Sequence, residues 1–241
     1  MPLAEWIALA VATAVAGIVR GFAGFGAGMV MAPAFSLLVG PARAVPTLIL
    51  LEIAVGLRLI PEALPAIRWR SLLVLVVPAS LAVPLGSRLL AVSDPDRIRV
   101  AISLLVLTFV VFMAFGWRRR SGAPPLVGGT AGALSGFLTG MCGVGGPPVI
   151  LLLMSGPDSS ERNRAMLIGF FGVTQIVAIP ALALNGLVTS TVLWNALVLT
   201  PVFIGAAHLG SILFRRADEK LTRRLMLVVL AAVALAGLLA R

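Results

Sequence analysis

The stretch Gly17-Ile-Val-Arg20-Gly21-Phe-Ala-Gly24-Phe25-Gly26-Ala27-Gly28-Met-Val-Met-Ala-Pro33 decides how this chain folds. It lies in an apolar region where a helix would otherwise run unbroken. Each glycine lowers helix stability by about 1 kcal/mol relative to alanine. The five glycines between Gly17 and Gly28 therefore predict a broken helix. A twin stands at Gly136-Phe-Leu-Thr139-Gly140-Met-Cys142-Gly143-Val144-Gly145-Gly146-Pro147-Pro148. A shift of 119 positions carries Gly17, Gly21, Gly24 and Gly26 onto Gly136, Gly140, Gly143 and Gly145, and Ala27 onto Gly146. A pattern repeated in this way, once at the head of each half, points to internal duplication.

Working outward, the 241 residues are 60% hydrophobic and only 12% charged, about half the charged share of a soluble domain. A bilayer-spanning helix needs about 20 apolar residues. The apolar segments are Leu3–Val19, Met29–Val39, Ala44–Ile60, Ser71–Leu90, Ile98–Trp117, Leu126–Met141, Pro148–Met154, Ala165–Leu184, Thr191–Phe214 and Leu225–Ala240. The expected fold class is an all-α polytopic membrane protein in the cell's inner (cytoplasmic) membrane, with the lipid bilayer as its surroundings. The net charge of +10 does not imply nucleic acid, because the basic residues sit in short loops between apolar segments, as the positive-inside rule expects. The N-terminus has no basic region ahead of its apolar segment, so that segment is expected to be retained. The single Cys142 excludes an internal disulfide and a multi-cysteine metal site.

Leu3–Val39 would be about 55 Å long as one straight helix, against a hydrocarbon core about 30 Å thick. It must be two crossings, or a hairpin that enters and leaves on one face, broken at Gly21–Gly28; Leu126–Met154 is shorter and broken in the same way. If each glycine-rich segment goes in and back and every other long segment crosses once, Arg58, Arg68, Arg70, Arg118–Arg120, Arg162, Arg164 and the basic residues of 215–224 share one side. Arg43, Arg88, Arg97, Arg99 and Arg241 fall on the other. That asymmetry favours the in-and-back reading. Each half is then a glycine-broken helical hairpin followed by three transmembrane helices, and the two halves are inverted in the membrane. The halves are 1–117 and 126–241, joined by the basic linker 118–125. Inverted repeats with interrupted helices are a recurring transporter plan, with the solute held near the midplane where the breaks meet. Looser pairs support the duplication: Arg43-Ala44 with Arg164-Ala165, Ile60-Pro61 with Ile179-Pro180, and Leu85-Gly86-Ser87 with Leu209-Gly210-Ser211.

A helix broken inside a membrane is tolerated where its backbone is buried in protein or lines a polar cavity. Glycine permits close approach of a ligand, and a helix N-terminus favours an anion through its free N–H groups. Gly24, Phe25, Gly26, Ala27 and Gly28, facing Gly143, Val144, Gly145, Gly146 and Pro147, are thus expected to form two anion cradles. The alternative use of these glycines is close helix packing. Leucine at Gly26 or Gly145 is expected to abolish transport while membrane insertion survives. Arg20, inside the apolar segment, would attract an oxyanion or else snorkel to an interface; its counterpart is Thr139. Glu52 is the single acid in the middle of an apolar segment and is the proton-coupling candidate, with a structural carboxyl or an ion pair to Arg20 or Arg58 as the alternative. Its counterparts by position are Phe171 to Val173. Gln175, four positions past Phe171, is the most interior of the polar candidates Asn163, Gln175, Asn185 and Asn195. His208 and Cys142 read as packing residues. No nucleophile–base set, metal-ligand cluster or phosphate loop is present, so neither an enzyme nor a cofactor is expected.

These residues are similar to those of the TauE/SafE family of membrane proteins, also called the sulfite exporter or TSUP family. The similarity rests on Gly17-x-x-x-Gly21-Phe-Ala-Gly24-Phe25-Gly26-Ala27-Gly28 with Pro33 and Arg43-Ala44, and on Gly136 through Pro148 with Arg164-Ala165. It implies transport, usually outward, of small sulfur-containing anions such as sulfite, thiosulfate or organosulfonates, with the glycine motifs as the site. The partner is then a small anionic solute; the oligomeric state is left open, a homodimer being one arrangement. An anion channel and a non-transporting membrane scaffold are the competing functions.

Overall fold

Nine helices are present among the described residues of the computed structural model, which are 2–23, 26–115, 124–214, 228, 231–232 and 234–237. They are α1 (Leu3–Ala23), α2 (Ala27–Val39), α3 (Pro41–Ala63), α4 (Trp69–Val92), α5 (Pro95–Phe115), α6 (Pro125–Cys142), α7 (Gly146–Met154), α8 (Ser160–Leu184) and α9 (Ser190–Phe214). A short 3-10 turn, Leu64–Ala66, follows α3, and no strand occurs among the described residues. The expected segments from Leu3–Val19 to Thr191–Phe214 each coincide with a helix. The last one, Leu225–Ala240, lies mostly outside the described residues, as do 118–123 of the linker and the basic stretch 215–224.

Local chemistry sets the boundaries. Pro41 and Pro125 open α3 and α6, where a missing N–H costs nothing. Asp94 caps α5 by accepting from the N–H groups of Asp96 and Arg97, at 2.9 and 3.2 Å. Ser159 caps α8 by accepting from the N–H of Arg162 at 3.3 Å. α6 stops at Gly143, whose φ of 69° is left-handed and whose N–H donates to the Thr139 carbonyl at 3.0 Å. Gly26, with φ 94°, makes the corresponding break before α2.

Leu3–Gly21, Trp69–Val92, Glu161–Leu184 and Ser190–Ile212 are each long and apolar enough to cross a membrane. A fifth span exists if Pro41–Leu57 and Leu59–Ala66, bent by 57°, count as one. The bend falls where Pro61 cannot donate to the Leu57 carbonyl. α2 and α7, with 13 and 9 residues, reach only about 20 and 14 Å and cannot cross alone. Each glycine-rich segment is therefore a longer helix followed by a short one.

Two helix pairs frame the bundle. α1 packs along α9, and α6 packs along α4. Both are zipped by glycine, and the contacts correspond between pairs. A side chain on Gly21 would strike the Ala207 carbonyl and Ser211 N, and one on Gly140 the Val83 carbonyl and Ser87 N. A side chain on Gly210 would strike the Ile18 carbonyl, and one on Gly86 the Phe137 carbonyl, Ile18 and Phe137 being 119 positions apart. Backbones this close are the small-residue packing of membrane helices. The packing use of glycine thus holds for Gly17, Gly21, Gly136 and Gly140, which lie within helices; at the breaks Gly26 and Gly143 supply a left-handed φ, and Gly143 and Gly145 are closely packed as well. Between the frames, α3 packs on α8, with α2 beside α3 and α7 beside α6 and α8. Phe35, Phe109, Phe170 and Phe203 fill the core. At one end, Asp158 accepts from both Arg68 and Arg162, at 3.2 and 3.1 Å, and ties the start of α4 to the start of α8.

Candidate functional site

Polar groups are few in this bundle, and several of them converge on one place. The two breaks come together there. A Cβ placed on Gly28, the second residue of α2, would lie 3.1 Å from the Gly143 carbonyl oxygen of the other break and 3.2 Å from Glu52 Oε1. Glycine lets the Gly143 carbonyl and the Glu52 carboxylate approach closely here, since a side chain would make both give way by a few tenths of an ångström.

Glu52 reaches this point from the middle of α3 and is buried. Its Oε1 accepts from the Gly28 N–H at 2.8 Å, one of the free donors of the α2 N-terminus. Its Oε2 accepts from Nε2 of Gln175 on α8. Both oxygens thus have a donor, and no ion pair to Glu52 occurs among the described residues. The side chain of Arg58 lies outside them.

Arg20 is only 6% exposed, although it sits near the end of α1. Its Nε is buried and has no hydrogen-bond partner among the described residues. It does not snorkel. It lines the same cavity as Glu52, Gln175, Gly26, Gly28, Gly143, Val144, Gly145 and Gly146. The cavity holds about 20 Å³, enough for one water molecule.

Most of the residues chosen from sequence therefore meet. Ala27 and Pro147 are buried beside the cavity without forming its wall. Gly24 and Phe25 lie outside the described residues. Met29, Thr139, Ile150 and Phe171 join the wall and were not chosen. For two of them a signal existed: Thr139 is the counterpart of Arg20, and Phe171 lies 119 positions after Glu52. His208 is exposed on α9. Asn185 donates to the Ala181 carbonyl at 2.8 Å and to Ser87 Oγ at 3.2 Å, and Asn163 to the Asp158 carbonyl at 3.4 Å. Cys142 is buried under the second break.

The two helix starts at the breaks do not offer the same donors. Pro147 and Pro148 remove two of the donors that α7 would otherwise offer, leaving the amides around Gly145 and Gly146. The α2 start keeps its amides, and one of them holds Glu52. The expected effect of leucine at Gly26 or Gly145 also needs correction. Gly26 has a left-handed φ, and a Cβ on Gly145 would strike Thr139 Oγ1 and the Ser135 carbonyl. Side chains at these positions disturb the fold itself, so they cannot isolate transport.

A buried guanidinium with an unpartnered N–H, in one wall with the start of a helix, is chemistry that suits an anion. A family model described as sulfite exporter TauE/SafE matches residues 9–237. No curated protein and no solved structure matches the chain. The chain belongs to the TauE/SafE sulfite exporter family and is a multi-pass membrane transporter rather than an enzyme.

Proposed function

We propose that this protein carries a small sulfur oxyanion, sulfite or an organosulfonate, outward across the cytoplasmic membrane, and that the solute binds where the two helix breaks meet. The observation that carries this reading is Arg20, nine-tenths buried in the bundle, lining the cavity with its Nε unpartnered. A buried guanidinium N–H without an acceptor is costly, and a bound oxyanion would supply that acceptor. The Gly28 N–H, the amides at Gly145 and Gly146, and Gln175 supply further donors around the same point.

The mechanism in this proposal is alternating access of two inverted halves, 1–117 and 126–241. Two observations support it. The α1–α9 and α4–α6 contacts correspond residue by residue under the repeat. Arg68 and Arg162 meet at one Asp158, so the starts of α4 and α8 lie together, which supports a second glycine-rich segment that goes in and back. The cavity admits one water and no oxyanion, so the helices around it must part for a solute to enter. Glu52, the acid in the wall, is the proton-coupling residue.

The test is uptake of radiolabelled sulfite into proteoliposomes holding the purified protein. A carrier gives saturable uptake that unlabelled sulfite on the far side accelerates. Flux that rises linearly with concentration and lacks that acceleration would support a channel. No flux of sulfite, thiosulfate or methanesulfonate would remove the sulfur-anion reading.

A further inference from the structure

We propose that the Glu52 carboxylate is the resident ligand of the anion seat, so that a solute binds by displacing it and the displaced carboxylate takes up one proton. The inference rests on the proposed anion site and adds how that site is filled when no solute is bound. Three observations carry it. First, the donors that suit a solute oxyanion are already in use: Gly28 N–H on one oxygen of Glu52 and Gln175 Nε2 on the other. A carboxylate with two donors, one on each oxygen, has the shape of a bound sulfonate or sulfite edge. Second, the remaining cavity of about 20 Å³ has no room for a solute while Glu52 stays in place. Third, Arg20 lies in the same wall with Nε unpaired, so the seat holds one cation and one anion.

Charge balance then fixes the exchange. With Glu52 ionised, the wall is neutral. A singly charged anion added to it would leave two negative charges against Arg20 in a low-dielectric bundle, which is strongly unfavourable. If Glu52 accepts a proton from water on the side of solute entry, it becomes a neutral acid and releases Gly28 N–H and Gln175 Nε2. The solute takes those donors and pairs with Arg20, and the wall is neutral again. No bond of the solute changes. On release, Glu52 gives up the proton and returns to the seat. Among the described residues, Arg20 is the one other ionisable group in the wall with Glu52. α2, α6 and α7 present none, and α8 presents Phe171 and Gln175 there. The ionisable residues of α8 (Glu161, Arg162, Arg164) and α5 (Asp96, Arg97, Arg99) lie at their first turns, as does Arg43 of α3. Arg70 and Arg88 of α4 and His208 of α9 are exposed.

The probe is methanesulfonate, whose charge does not change near neutral pH. Its binding to the purified protein is measured by calorimetry in buffers of different ionisation enthalpy, which counts the protons taken up. The expected result is about one proton per methanesulfonate, with affinity weakening about tenfold per unit rise in pH. Glu52→Gln should bind methanesulfonate with no proton uptake and no dependence on pH. Binding to the unaltered protein without proton uptake overturns this inference and leaves the anion site standing. Absence of binding to both proteins, each shown to be folded, overturns the anion site as well. The unaltered protein decides the matter alone if Glu52→Gln does not fold.

Discussion

The first helix break and the second are copies in sequence and opposites in chemistry. Around the first stand Arg20 and Glu52; at the matching places around the second stand Thr139 and Phe171, and all four line one cavity. The first break opens onto α2, whose first turn carries an N–H at every residue, and the second opens onto α7 with Pro147 and Pro148 in the first turn. Away from the cavity the shared glycines agree: Gly17 with Gly136, Gly21 with Gly140 and Gly210 with Gly86 face corresponding carbonyls. The helix packing thus corresponds between residues 1–117 and 126–241, while the two ionisable wall residues, Arg20 and Glu52, both come from the first of these stretches. A two-fold site would hold two equal cradles; this one holds a charged wall and a neutral wall.

The difference can be broken first at its charged pair. Arg20→Gln should lower sulfite transport by about a hundredfold, the value of a buried charge-assisted hydrogen bond, in proteoliposomes normalised for folded protein. Thr139→Ala, the matching change in the other half, should lower it by about threefold or less. Equal losses would mean that the halves share the work. Next come the scaffold glycines, where the halves should behave alike. Gly21→Ala and Gly140→Ala each push a methyl into a facing backbone. Each should destabilise the protein by about 1–3 kcal/mol, read as a lowered melting temperature in detergent. A large difference between the two would undo the correspondence of the frames.

Gly28→Ala sharpens the comparison at the seat itself. The added methyl must fit at 3.1 Å from the Gly143 carbonyl and 3.2 Å from Glu52 Oε1. It should weaken sulfite binding by about tenfold, with about 1 kcal/mol or less of global stability lost. The smallest effects are expected at Gly56 and Gly205, one helical glycine in each half, where a side chain meets nothing within 4 Å. Alanine there should be neutral or stabilise by up to about 1 kcal/mol, with transport unchanged.

Much of this was legible in the sequence. The broken helices followed from glycine density in an apolar region, and the cavity from the meeting of two such breaks. Arg20, Glu52 and Gln175 stood out because an apolar segment has few reasons to hold them. Other features were not legible. The split of the glycines into packing positions and break positions depends on which backbone lies opposite, and Gly21 and Gly26 look alike in a sequence. The Glu52–Gly28 hydrogen bond joins residues 24 positions apart across a helix break whose angle no local pattern states. The difference in donors between the two helix starts could have been read from Pro147-Pro148, since proline has no N–H to offer. Thr139 and Phe171 were identified as counterparts, yet their neutral character hid them as wall residues.

The central claim is that a solute anion binds where the two breaks meet and is held by the charged half. The measurement that tests it most directly is the shift in melting temperature with sulfite for the unaltered protein, Arg20→Gln and Thr139→Ala. A ligand of the folded state adds about 2.7 kcal/mol at a hundred times its dissociation constant. The expected result is a shift for the unaltered protein, a slightly smaller one for Thr139→Ala, and none for Arg20→Gln. A full shift with Arg20→Gln would place the anion elsewhere and contradict it.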